Sequence, residues 1–145
     1  MTRAWILPLL LALTGALGAA GSAARGDTAA AAVCALVLTL LAVAHSPLVF
    51  PRPVSAAEAR RRSADDGRPV VFWRPGCRYC LRLRLALGRR AGLLHWVDIW
   101  RDPEGAAAVR AATGGDETVP TVLVAGRPYV NPGPAWVREQ LVRSR

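Results

Sequence analysis

The chain has 145 residues, room for about one compact domain, and carries 19 basic against 10 acidic side chains for a formal net charge of +9. Three cysteines are too few for a disulfide framework, and with two histidines they do not make a persuasive four-ligand zinc set, so no metal is expected. The basic charge alone would suit nucleic acid, but no nucleic-acid motif accompanies it, and no such partner is expected.

The charge is unevenly spread. Up to Phe50 the only charged side chains are Arg3, Arg25 and Asp27. Trp5 to Ala24 is apolar and long enough to cross a bilayer, but Arg3 in front and the small residues of Gly18 to Ala24 also fit a cleaved signal peptide. Arg25-Gly26-Asp27 makes a polar turn, and Thr28 to Phe50 is a second apolar run that holds Cys34, there read as a small buried hydrophobe. We expect two spans, at about 4–24 and 28–50, in a multi-pass protein of the cell membrane. Arg52, Arg60, Arg61 and Arg62 follow the second run, against Arg25 alone in the turn, and this balance puts the rest of the chain on the cytoplasmic side.

Residues 51–68 form a juxtamembrane linker. Pro51-Arg52-Pro53 is a stiff exit, and Ser55 with Glu58 makes a capping-box pattern for a short helix to about Asp65. Its three consecutive arginines face either anionic head groups or plain solvent. The α/β domain, residues 69–145, opens with a strand over Val70 to Trp73, followed by a Pro75-Gly76 break. Cys77 and Cys80 come next, at the mouth of a segment rich in Leu, Arg and Ala. Leu81 to Leu85 alternates with a strand-like period, yet its residues are strong helix formers, and we expect a helix that ends near Gly88 to Gly92. Arg84 falls inside that helix's apolar arc without an evident reason. Leu94 to Trp100 reads as a strand. Asp102-Pro103-Glu104 starts a helix to about Thr113, Thr118 to Val124 is a third strand and Tyr129 lies in a fourth. Asn131 to Pro134 precedes a last helix over Ala135 to Val142. This order predicts a mixed four-stranded sheet flanked by helices.

Two thiols on the first turn of a helix meet unpaired backbone N–H groups and the positive end of the helix dipole, and both favour the thiolate. A thiolate is the nucleophile of disulfide exchange, and a second thiol at this spacing can resolve a mixed disulfide. Cys77, nearer the helix start, is the expected nucleophile and Cys80 its partner. Tyr79 and Trp73 are either walls of a binding groove or packing aromatics. His95 and Asp98 read as structural.

Cys-x-x-Cys after a strand, with Thr118-Val119-Pro120-Thr121-Val122 some forty residues later, resembles the thioredoxin fold and, within it, the glutaredoxins over roughly Pro69 to Leu141. The resemblance implies that Pro120 is cis and that the backbone of Val119 pairs with a thiol substrate as an added strand would. Where glutaredoxins usually carry Pro-Tyr between the cysteines, this chain has Arg78-Tyr79, and an arginine there should lower the nucleophile's pKa and attract anionic substrates. Asn131-Pro132 replaces the glycine-rich glutathione loop and is similar to mycoredoxins, which act on mycothiol mixed disulfides in actinobacteria. The implied activity is membrane-anchored thiol–disulfide exchange on disulfide-containing client proteins, with mycothiol, or else glutathione, as co-substrate. The implied substrate contacts are Arg78, Tyr79, Val119, Pro120, Asn131 and Pro132. Two alternatives stand beside it: a thioredoxin-like electron donor to one dedicated partner, and an iron–sulfur-binding glutaredoxin module, against which Cys80 argues.

Overall fold

The computed structural model describes residues 3–144. The chain divides into two units, Met1–Val49 and Phe50–Arg145. The first holds two helices, α1 (Arg3–Ala24) and α2 (Thr28–His45), both apolar and long enough to cross a membrane. They pack against each other through small residues: a Cβ added at Gly18 would lie 2.7 Å from Cys34 Sγ, and one at Gly15 would lie 2.9 Å from Leu38 Cβ. Asp27 caps α2, its Oδ1 accepting the Ala30 N–H at 2.9 Å. Leu9, Leu13, Leu17, Leu36 and Leu40 all remain more than half exposed. The second helix ends at His45, before the apolar run does, where Ser46 turns extended.

The second unit contains α3 (Ala56–Asp66), β1 (Val70–Trp73), α4 (Arg78–Leu87), β2 (His95–Asp98), α5 (Pro103–Thr113), β3 (Thr121–Val124), β4 (Arg127–Val130) and α6 (Pro134–Arg143). Its sheet runs β2-β1-β3-β4. β1 pairs parallel to β2 across the α4 crossover and antiparallel to β3, and β3–β4 is a hairpin. This is the mixed α/β architecture expected of the chain. β2 is shorter than the apolar run around it because Asp98 Oδ1 takes the Trp100 N–H at 3.0 Å and turns the chain out of the sheet.

Register and pleat sort the core into two layers. On one face Phe72 and Val97 stand side by side under α5, which comes so close that a Cβ at Gly105 would sit 2.7 Å from Val97 Cγ1. Asp102 caps α5 through Oδ1 to Gly105 N at 2.7 Å, while its Oδ2 accepts Ala56 N at 2.8 Å, so one carboxylate closes the N-termini of α5 and α3 together. On the other face lie Val71, Trp73, Trp96 and Val122, with Trp136 of α6 against Tyr129 at 4.5 Å between centroids. Phe50 belongs to this layer, stacked on Trp73 at 3.8 Å and set edge-on to Trp96 at 5.6 Å. The capping box at Ser55 is half made: Ser55 Oγ accepts Glu58 N–H at 3.2 Å, but the Glu58 carboxylate turns outward to Arg61 and Arg62 instead of returning to the helix start.

Candidate active site

Strand β1 delivers the chain to the site. Past Arg74 and Pro75, Gly76 adopts φ +77°, a left-handed conformation that glycine takes without a side-chain penalty, and Cys77 N–H closes the turn on Arg74 O at 3.4 Å. Cys77 then has extended backbone and is itself the N-cap of α4. The two thiols were expected within the first turn, but the first of them stands one place earlier, where serine or aspartate usually sits. Its Sγ accepts the Cys80 N–H at 3.2 Å, and while protonated it donates to Val119 O at 3.3 Å. Both cysteines are free thiols; Cys77 is half-buried and Cys80 is sealed in the core.

These contacts separate the two acidities. A hydrogen bond from the Cys80 thiol is the largest cause lowering Cys77; burial opposes it, and the N–H groups of Cys80 and Tyr79 and the charge of Arg74 add to it, so Cys77 falls from an ordinary 9.0 to about 6. Burial first, and then the same hydrogen bond and the charge on Cys77, push Cys80 far above the ordinary thiol range. One sulfur is poised as a thiolate at neutral pH while its neighbour holds a proton.

The Val119–Pro120 peptide bond is cis, as the resemblance implied, and the Val119 carbonyl faces Cys77 Sγ. Pro120 O accepts the Asn131 N–H at 2.8 Å, and Asn131 adopts φ +47°, so the turn after β4 is fastened to the proline. Beside it opens a cavity of about 130 Å³ lined by Tyr79, Arg82, Leu83, Asn131, Pro132 and Gly133. Of the residues expected to meet substrate, Val119 and Pro120 therefore stand at the thiols, and Tyr79, Asn131 and Pro132 share the adjoining cavity.

Arg78 is not the arginine that lowers Cys77. Its guanidinium lies 4.8 Å from the Tyr79 ring centroid and donates to Tyr79 Oη at 3.0 Å, and the cation that bears on Cys77 is Arg74. Trp73 is no groove wall; it is fully buried under Phe50. His95 and Asp98 are structural, as read: His95 Nε2 meets Asp66 at 3.0 Å, and buried Asp98 caps the turn after β2, burial raising its carboxyl above the ordinary value. Arg74 and Arg82 were missed. Arg82 was accessible to reasoning, since three residues after Tyr79 on a helix is the same face. Among the described residues no group of three or more His, Cys, Asp or Glu side chains is arranged to hold a metal ion.

Comparison with known proteins bears on this geometry. The glutaredoxin family model matches residues 70–129. Two proteins of Mycobacterium tuberculosis, named "Putative glutaredoxin MT3292" (strain CDC 1551 / Oshkosh) and "Putative glutaredoxin Rv3198A" (strain H37Rv), are each 40% identical to this chain over 75 residues, which cover 51% of this chain and 89% of the relative.

Proposed function

The chain belongs to the glutaredoxin family of thiol–disulfide oxidoreductases, and on that premise we propose that it is a membrane-anchored member that clears mixed disulfides between proteins and mycothiol, with Cys77 as nucleophile and Cys80 as resolving thiol. The observation that carries this reading is Cys77 Sγ standing as the cap of α4, lowered to about 6, with Val119 and cis-Pro120 beside it.

The chemistry is exchange. Cys77 thiolate attacks the mycothiol-side sulfur of a client mixed disulfide; a Cys77–mycothiol disulfide forms, the old bond breaks, and the client leaves as a thiolate that takes up a proton. A second mycothiol thiolate can then attack the adduct, releasing Cys77 and mycothiol disulfide. In the other branch Cys80 gives up its proton and attacks Cys77, so that mycothiol leaves and an internal disulfide awaits reduction by two further thiols. Burial, the largest cause that raises Cys80 above the ordinary thiol range, persists in the adduct and opposes this second branch. Val119 would hold the extended thiol through its backbone, and Tyr79, Asn131 and Pro132, joined by Arg82, would line the adjoining part of the groove. Arg78 lies outside that cavity and would meet anionic parts of a client at the rim. The Asn131-Pro132 turn and the mycobacterial relatives support mycothiol over glutathione. The exposed leucines of α1 and α2 support the membrane anchor, and the arginines after Pro51 support a cytoplasmic domain.

The test is Cys80→Ser protein incubated separately with mycothiol disulfide and glutathione disulfide, the adduct on Cys77 read by mass spectrometry. We expect a mycothiol adduct that turns over when mycothiol is supplied. If neither disulfide loads, the co-substrate is wrong and a dedicated protein electron donor takes its place.

A further inference from the structure

A second cavity, of about 280 Å³, lies outside the thiol site, walled by Pro51, Arg52, Arg62, Arg68, His95 and the backbone leading to it. Arg62, Arg68 and His95 are already held in place. Glu58 takes Arg62 Nε at 2.6 Å, and Asp66 takes His95 Nε2 at 3.0 Å and stands 3.7 Å from Arg68 Nε. Arg52 is exposed and has no ion-pair partner among the described residues. The three guanidinium groups thus outnumber the two carboxylates beside them, and the thiol chemistry uses none of them. Guanidinium forks match the oxygens of a phosphate, and the cavity is at the small end of ligand sites, the scale of a phosphate with a short polar substituent. Its first wall residue, Pro51, follows directly on the apolar stretch of the chain.

We infer that this cavity is a phosphodiester site that takes the head group of an anionic membrane phospholipid. The inference rests on the membrane reading given above, because a bilayer is what would bring such head groups to a domain tethered by the apolar helices. Free phosphate offers the same oxygens without that concentration, and the experiment separates the two.

Purified full-length protein is first floated with phosphatidylglycerol liposomes, then held in neutral detergent micelles with phosphatidylglycerol or phosphatidylcholine, and native mass spectrometry counts the lipid retained. Phosphatidylglycerol should be retained preferentially. Arg52→Gln with Arg68→Gln should cut that retention on the order of tenfold, the scale expected for two arginines against an anionic surface. Arg127→Gln with Arg143→Gln, equal in charge lost, should leave it unchanged. Unaltered alkylation of Cys77 shows each variant to be folded. Equal loss in both double variants, or no preference over phosphatidylcholine, overturns the inference; so does retention of inorganic phosphate in place of the lipid at equal concentrations, which would make this a free-phosphate site. Failure to float at all overturns the membrane reading, and this inference with it, whereas flotation without head-group preference overturns this inference alone.

Discussion

The lowered pKa of Cys77 has consequences at the scale of one residue. Its rate of alkylation should rise as pH passes upward through about 6 and then level off, measured with iodoacetamide under reducing conditions. Cys80→Ala removes the largest lowering contribution, so that midpoint should move upward, whereas Cys80→Ser keeps a donor and should move it less. The linked effect on folding has a definite sign. The folded value, about 6, lies below the ordinary 9.0, so ionisation of Cys77 favours the folded state; the stabilisation is complete above the unfolded value and lost as pH falls through the folded one. The urea midpoint of the reduced protein should therefore rise between pH 6 and pH 8, and Cys77→Ala should flatten that rise. The sequence pointed to Cys77 and Cys80 as the candidate pair, because strand, break and Cys-x-x-Cys are local signals. It did not show that Arg78 would turn to its neighbour Tyr79 while Arg74 acts on the sulfur, since a side chain's direction depends on the turn it sits in.

At the scale of elements, most of the fold was legible. Asp102 and Pro103 start α5 as their types require, and α4 is a helix despite the alternating Leu81 to Leu85. Arg84, without explanation on a helical wheel, closes the end of that helix by donating to Gly88 O at 2.9 Å. What could not be read was the second bond of Asp102, because its partner Ala56 is distant in sequence and only the packing of α3 beside α5 brings the two together. Losing both caps should be costly: Asp102→Ala should destabilise the protein by about 2 kcal/mol in urea unfolding, and Asp102→Asn by less. Gly105→Ala should cost about 1–3 kcal/mol by pushing α5 away from Val97, while thiol–disulfide exchange per folded molecule stays near wild type.

For the molecule as a whole, composition separated a nearly uncharged N-terminal region from an arginine-rich remainder, and the two structural units follow that division closely. Phe50 is the instructive residue at the border. By hydrophobicity it closes the apolar run, yet it is a core residue of the second unit, buried on Trp73. Hydropathy registers that a side chain avoids water but not which neighbour shelters it. A fragment beginning at Phe50 should fold by itself. One beginning at Pro51 should be less stable by about 2 kcal/mol, the worth of burying a phenylalanine, as read by thermal unfolding of the two fragments side by side.

The sulfur that caps α4 is also, in the mechanism proposed above, the atom whose bonding changes in each cycle of exchange. As a thiolate it is a strong acceptor for the amide proton of Cys80; bonded to a second sulfur it is neutral and a poor one. Oxidation at Cys77 should therefore loosen the first turn of its own helix, and reduction should tighten it again. The amide of Cys80 would report this cycle: its exchange with deuterium should be slow in the reduced protein and faster in the oxidised one.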